Sequence, residues 1–443
     1  MEYVLSHVDM ITAGVPYKVE TDMYLVIKDG YIQDIGHHPL PEHIEKEWTV
    51  YNQKGKIVLS GMYNTHAHTP MSLLRGVSDD VELQTWLKQE IWPREGLLDR
   101  EKVKTSSSLA LAEMIKSGTV AFLDMYHLHM DDVFELTMQA GMKAVLSRGM
   151  IGFGTKEEQA QKVEEATALA AAWNKNGNGQ IRGMLFPHAP YTCPPPFLEM
   201  VIAKAHENNL PLGIHLAETS EEVERHKQLY GKPPVVHLDE LGFFEGEAVL
   251  THMVHLTEEE IELVHQPNLT ISHNPMSNAK LGSGIAPVPA MLKKGLHVTL
   301  GTDSTASNNN LDMFEEMRTA ALLQKAAGHQ SGAVTAEQVV DMATVRGAKA
   351  LGFLEEGLLQ PGAPADFILL DASSLHLQPV HNIFSHLVYS ASGADVTDVF
   401  VNGRQLMKNR QLQTLDEERI RYDINQSFDD LERMFVKQKE GRS

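Results

Sequence analysis

The chain of 443 residues contains one cysteine, Cys193, which excludes an intrachain disulfide framework and fits a reducing cytosol. Positive charge is also scarce. Lys and Arg total 38 against 59 for Asp and Glu, and the formal charge of -21 disfavours a broad nucleic-acid or acidic-membrane footprint. An anionic substrate in a locally basic pocket stays permitted. No apolar run has membrane-spanning length and nothing of signal-peptide type stands at the start, so a cytoplasmic location is expected. No Gly-x-Gly-x-x-Gly fingerprint follows the first central strand, which counts against an open doubly wound sheet. Histidine, by contrast, is abundant at 22 residues.

The chain exceeds the usual size of one domain. Residues 3–11 and 24–27 are β-favouring, and Asp29-Gly30 before Tyr31-Ile32 is a hairpin signal. The same texture returns at 366–370 and 396–401, the latter leading into Asn402-Gly403. Neither end has the apolar length for a domain of its own. The expectation is one small β-sandwich domain built from residues 1–60 and 362–443, with 61–361 inserted between them, and a helix over 416–440 packed outside through Ile420, Ile424, Phe428, Leu431 and Phe435. The insert alternates strands with helices. Buried strands are predicted at 57–65, 119–124, 143–148, 181–188, 212–217, 248–252, 269–273 and 298–303, with helices at 100–116, 156–172, 196–208 and 287–294. Eight such units predict a closed α/β (β/α)8 TIM barrel. His66, His68, Arg148, His188, His215, His252, His273 and Asp303 all fall at or just beyond strand C-termini, which converge on one mouth in that fold.

His66 and His68 face one way along a strand and form half of a metal site. His215 is a third nitrogen donor at a strand end, and Asp303 follows an apolar strand directly. Three imidazoles and a carboxylate suit Zn2+, tolerate Fe2+, Co2+ or Mn2+, and fit calcium or magnesium poorly. Glu218 stands where it can reach a metal-bound water without being a ligand, and His252 can orient that water. The strand ending Phe186-Pro187-His188 offers no bridging lysine or carboxylate, so one metal is expected rather than two.

These residues, with Met71 to Gly76, Pro187-His188-Ala189-Pro190-Tyr191, and the segments 215–219, 251–256, 272–281 and 300–314, resemble the amidohydrolase superfamily. Within it they are similar to the branch of 5'-methylthioadenosine and S-adenosylhomocysteine deaminases. The resemblance implies one divalent metal held by His66, His68, His215 and Asp303, with Glu218, His252 and Asp303 as the catalytic groups. It further implies that Trp86 packs near the ribose or its 5' substituent, Glu95 accepts the ribose hydroxyls, His188 contacts the sugar and Ser307 approaches the purine. Asn278 and the His273-Asn274-Pro275 turn would shape the pocket nearby, and Arg148 would stand near the substrate tail.

The implied reaction is hydrolytic deamination at adenine C6, with water activated by the metal. Ala67 and the Asp303-Ser304 pair depart from common family patterns without removing a functional group. More consequentially, residues 149–158 contain no second arginine, and Lys156 lacks the bidentate fork that grips a carboxylate. Methylthioadenosine is therefore expected to be used at least as well as S-adenosylhomocysteine. Guanine, cytosine or chloro-triazine hydrolysis is the alternative chemistry, since fold and metal do not fix a substrate. A scaffold without activity is the non-enzymatic alternative. The resemblance also implies a homodimer or homotetramer.

Overall fold

A computed structural model describes residues 2–12, 17–81, 85–354 and 357–440. Its centre is eight short parallel strands: Met62–Ala67, Thr119–Tyr126, Lys143–Arg148, Ile181–Gly183, Leu212–Leu216, Ala248–His252, Leu269–His273 and His297–Leu300.

 These strands form two four-stranded sheets in sequential order, and the parallel bridges Leu185↔Leu212 and Ala67↔Asp303 join the sheets on both sides. The barrel is thereby closed. Every residue of the second strand, Thr119–Tyr126, is buried, as expected for a parallel strand covered on both faces. Helices such as Arg100–Lys116, Lys156–Asn176 and Pro195–Asn208 form the outer layer.

Two predicted strands differ in the structure. The stretch 57–65 divides into Lys56–Ser60, which belongs to the terminal sheet, and Met62–Ala67, which opens the barrel. Gly61 is the switch: a Cβ there would lie 2.3 Å from Val120 Cγ1, so only glycine lets the chain cross so close to the second barrel strand. The stretch 181–188 is regular only over Ile181–Gly183 and continues as single bridges at Leu185 and Pro187. Met184 N–H donates to Leu146 on one side and Leu185 N–H to Pro211 on the other, and Pro187 has no N–H to extend the ladder.

Both chain ends contribute to one nine-stranded sheet, in which Lys56–Ser60 lies between Phe367–Asp371 and Glu2–Thr12. That sheet curls over itself. Tyr3 and Phe400, which are not on neighbouring strands, have ring centroids 5.8 Å apart, and Tyr3 Oη donates to Gly403 O at 2.9 Å. The two hairpin turns anticipated at Asp29-Gly30 and Asn402-Gly403 touch at this closure, where a Cβ on Gly30 would meet Asn402 O at 2.9 Å. A core of Leu5, Met10, Leu25, Phe367, Leu369 and Phe400 fills the interior, as a sandwich requires. The buried pair Lys143–Asp366, at 2.6 Å, ties the start of the third barrel strand to this sheet. The last helix, Glu417–Glu440, buries Ile420, Leu431 and Phe435, whereas Phe428, expected inward, stands at the edge of that stripe and is 40% exposed.

Candidate active site

The first barrel strand ends in His66 and His68, with ring centroids 4.7 Å apart. Asp303 is carried beside them by its bridge to Ala67, and His215 arrives from the end of the fifth strand. His68 Nε2 is 3.1 Å and His66 Nε2 3.5 Å from Asp303 Oδ1, while the Nε2 atoms of His66 and His215 are 3.2 Å apart. Donors about 2.0–2.1 Å from one ion in a tetrahedron lie roughly 3.3 Å from one another. The three measured pairs match that spacing, and the donors fall into two groups that share His66: His66, His68 and Asp303 lie within 4.8 Å of one another, as do His66, His215 and His252.

Orientation agrees with the spacing, and so does the protonation of His66 and His215, whereas the His68 imidazole is raised because Asp303 and Met125 O outweigh its burial. His68 Nδ1–H donates to Met125 O and His215 Nδ1–H to His188 O, each at 2.6 Å, which turns both Nε2 lone pairs inward. His66 Nδ1 is buried with no acceptor among the described residues. Burial pushes His66 down to about 3 and His215 well below the usual imidazole range, with neighbouring imidazoles adding to both shifts. Both rings are therefore neutral, the form that binds metal. Burial alone would raise Asp303, but the His66 and His68 imidazoles beside it outweigh that and hold the carboxyl well below the usual range. Ser277 and Ser307 donate to Asp303 Oδ2 at 2.6 and 3.1 Å.

Glu218 and His252 flank this set. Glu218 Oε2 is 3.8 Å from His252 Nε2, Ser283 Oγ donates to Glu218 Oε1 at 3.3 Å, and burial raises the Glu218 carboxyl above its usual range. His252 Nδ1–H donates to Asn278 Oδ1 at 2.9 Å, which aims Nε2 at the cluster. The strand ends turn sharply to deliver these groups: Ala217, His252, Met253 and Asp303 all have positive φ, between 50° and 74°. Such backbone is costly for non-glycine residues and concentrates where a site over-determines it.

A cavity of about 400 Å³ opens above the cluster. Trp86, Glu95, His188, His215, Glu218, His252, Asp303 and Ser307 all line it. Residues 82–84 lie outside the described ones, and Trp86 begins a π-helical turn, Trp86–Ile91. Tyr126 Oη donates to Glu95 Oε1 at 2.7 Å. Arg148 is the exception among the expected substrate contacts. Its guanidinium donates to Glu165 at 3.0 Å and to Gly149 O at 3.1 Å, and its backbone neighbours Gly149 and Met150 face the cavity instead. Among the described residues, no Lys or Arg lines the cavity. The His273-Asn274-Pro275 turn also stays outside the lining, with the His273 ring buried behind it.

The sequence profile of the amidohydrolase family matches residues 57–406. The chain belongs to the amidohydrolase family. Among its curated relatives, the 5-methylthioadenosine/S-adenosylhomocysteine deaminase of Halalkalibacterium halodurans is 49% identical over 431 residues, covering 97% of this chain and 98% of that protein. The 5'-deoxyadenosine deaminase of Methanosarcina acetivorans is 45% identical over 396 residues, covering 89% and 90%. A solved adenosine deaminase from Xanthomonas campestris with bound zinc superposes with a TM-score of 0.90 at 32% identity, covering 97% and 98%.

This amidohydrolase site contains supports that residue patterns did not reveal. Ser277 holds the Asp303 carboxylate from a helix 26 residues earlier in the chain, and no spacing rule pairs them. Glu222 accepts the N–H groups of Ala217 and Glu218 at 3.0 and 2.9 Å, fixing the turn that presents Glu218. A Glu three residues after the Thr219 cap is a recognisable helix-start signal, though here its side chain serves the preceding turn.

Proposed function

We propose that the protein is a metal-dependent aminohydrolase that converts 5'-substituted adenosines, 5'-methylthioadenosine foremost, to the corresponding inosines and ammonia. The observation that carries this reading is Glu218, buried with a raised carboxyl 3.8 Å from His252, at the floor of a cavity whose wall holds Glu95 and Trp86. His66, His68, His215 and Asp303 would hold one divalent ion per subunit, and Zn2+ suits their mixed nitrogen and oxygen donors. When bound, such an ion lowers the pKa of water to about 7.

The chain's own groups perform the remaining steps. Glu218, its carboxyl raised by burial, delivers a proton to purine N1 as C6 becomes tetrahedral. His252, held by Asn278, orients the attacking water. Asp303, ionised and gripped by Ser277 and Ser307, accepts the water's proton and returns it to the departing amine. Glu95, braced by Tyr126, accepts the ribose hydroxyls, and His188 contacts the sugar. Ser307 borders the purine from the Asp303 side.

The 5' end faces apolar groups including Leu87, Ile151 and Phe153, while Arg148 is occupied by Glu165. A neutral thioether gains burial there of roughly 0.8 kcal/mol per methylene-sized group, whereas a carboxylate lacks a cation to pair with. The reading includes a cytoplasmic location, a homodimer or homotetramer, a catalytic barrel over 61–361 and a small β domain from 1–60 with 362–443. Initial rates on methylthioadenosine, 5'-deoxyadenosine, adenosine, guanine and cytosine test it. Release of ammonia from the substituted adenosines ahead of the free bases is expected; preference for a free base would overturn it.

A further inference from the structure

One wall of the cavity is unlike the others. Trp86, Leu87, Ile91, Trp92 and Glu95 come from a π-helical turn, Trp86–Ile91, that runs directly into the short helix Trp92–Glu95. No barrel strand is part of this wall; Tyr126, at the end of the second strand, holds the Glu95 carboxylate from the cavity side, and the backbone of the wall rests on what packs behind it. Arg94, next in sequence to Glu95, points the other way. Its Nε and Nη2 donate to Glu432 at 2.7 and 3.3 Å, and its Nη1 donates to the Glu90 carboxylate at 2.7 Å and to the Glu90 backbone carbonyl at 3.1 Å. The guanidinium carbon lies 3.6 Å from the centroid of the Phe435 ring. Charge-assisted bidentate pairing and stacking on an aromatic face are the two arrangements in which arginine fixes geometry most firmly.

Glu432 and Phe435 belong to the last helix, Glu417–Glu440, which is itself anchored on the helix Arg100–Lys116 by Lys102–Asp430 at 2.9 Å and Lys116–Glu417 at 2.6 Å. Beyond Arg94 the wall and the last helix part, leaving a groove of about 320 Å³ between Lys88, Pro93 and Gln438. Arg94 is thus the main polar tie across this junction. A π-helical turn widens the backbone ring and is found disproportionately at functional sites, where such an external tie can select one placement.

We infer that the C-terminal helix is a positioning element for nucleoside binding: Glu432 and Phe435 clamp Arg94 and thereby set where Glu95 and the tryptophan wall stand, without touching substrate. The inference rests on the reading that Glu95 accepts the ribose diol. It predicts an effect on substrate capture that is separate from the metal and proton groups, which sit on the barrel strands.

The test compares the parent enzyme with Glu432→Gln and Phe435→Leu, using Phe435→Tyr as the conservative variant and Asp430→Asn as a control that loosens the same helix away from Arg94. Each is assayed on 5'-methylthioadenosine and on its 2',3'-dideoxy counterpart. Glu432→Gln and Phe435→Leu are expected to raise KM for the diol substrate by about fivefold or more, with kcat within about twofold. On the dideoxy substrate their KM should match the parent's. Phe435→Tyr and Asp430→Asn should keep the parent KM on both substrates. Unchanged KM in both test variants, an equal rise on the dideoxy substrate, or the same rise in Asp430→Asn would each overturn the positioning role. A parent enzyme indifferent to loss of the diol would instead overturn the ribose reading of Glu95, and the inference with it. If Glu432→Gln does not fold, Phe435→Leu carries the comparison.

Discussion

Replacing Glu218 with Gln keeps the shape of the side chain and removes the proton it is proposed to deliver. Ser283 Oγ can still donate to the amide oxygen as it does to Glu218 Oε1 at 3.3 Å, and the backbone at 217–218 stays fixed by Glu222. The proposed ion-binding donors His66, His68, His215 and Asp303 are untouched. The loss is therefore confined to proton transfer, which is worth about 10²–10⁴ in rate, or roughly 3–5 kcal/mol of barrier. Burial works in the same direction: it raises the carboxyl so that the proton is held where an ordinary glutamate would have lost it, and an amide cannot replace that donor. Deamination of methylthioadenosine followed by ammonia release, alongside elemental analysis of the same sample, should give a kcat reduced at least about 10²-fold with metal content equal to the parent's. A variant within about tenfold of parent kcat would refute the proton-transfer assignment.

Other perturbations separate the remaining roles. His215→Ala leaves three of the four donors and is expected to purify with substoichiometric metal by elemental analysis, with zinc in excess restoring only part of the activity. Lys143→Met removes the cation facing Asp366, which is 0% exposed and still accepts the Asn402 N–H, and should cost about 3–5 kcal/mol in denaturant titration; adding Asp366→Leu should recover part of that loss. Glu222 is pushed by burial from 4.5 to about 8. Between those values the unfolded chain has lost the proton that the native state keeps, so this group makes stability fall as pH rises through the window and adds no slope outside it. Glu222→Gln should flatten that part of the stability curve, and an unchanged slope would assign it to other groups.

Much of the centre was legible in the sequence because the chemistry and the fold share one pattern. Apolar strands ending in His66, His68, His215, His252 and Asp303 mark both the barrel and its reactive mouth. The hairpin signals Asp29-Gly30 and Asn402-Gly403 identified the terminal sheet, since each dipeptide supplies the positive φ its turn needs. What stayed hidden depends on contacts between distant segments. The apolar run around Leu59 gave no sign of the break at Gly61, which exists only because Val120 lies against it. Arg148 has the residue type and strand-end placement of a substrate contact, yet Glu165 on the following helix takes its guanidinium. The Arg94–Glu432 tie spans 338 positions and carries no local signal.

Specificity for the 5' substituent tests the central claim most directly, because it depends on adenine chemistry, ribose recognition and a cavity lined by no Lys or Arg among the described residues. The decisive measurement is kcat/KM for 5'-methylthioadenosine, S-adenosylhomocysteine and adenosine on one zinc-loaded preparation. The account predicts that methylthioadenosine is used at least as efficiently as S-adenosylhomocysteine and that both exceed adenosine. Adenosine ahead of both would contradict the 5' pocket, and S-adenosylhomocysteine ahead by more than about tenfold, or ~1.4 kcal/mol, would mean that Arg148 or another cation leaves its present partner to reach the substrate.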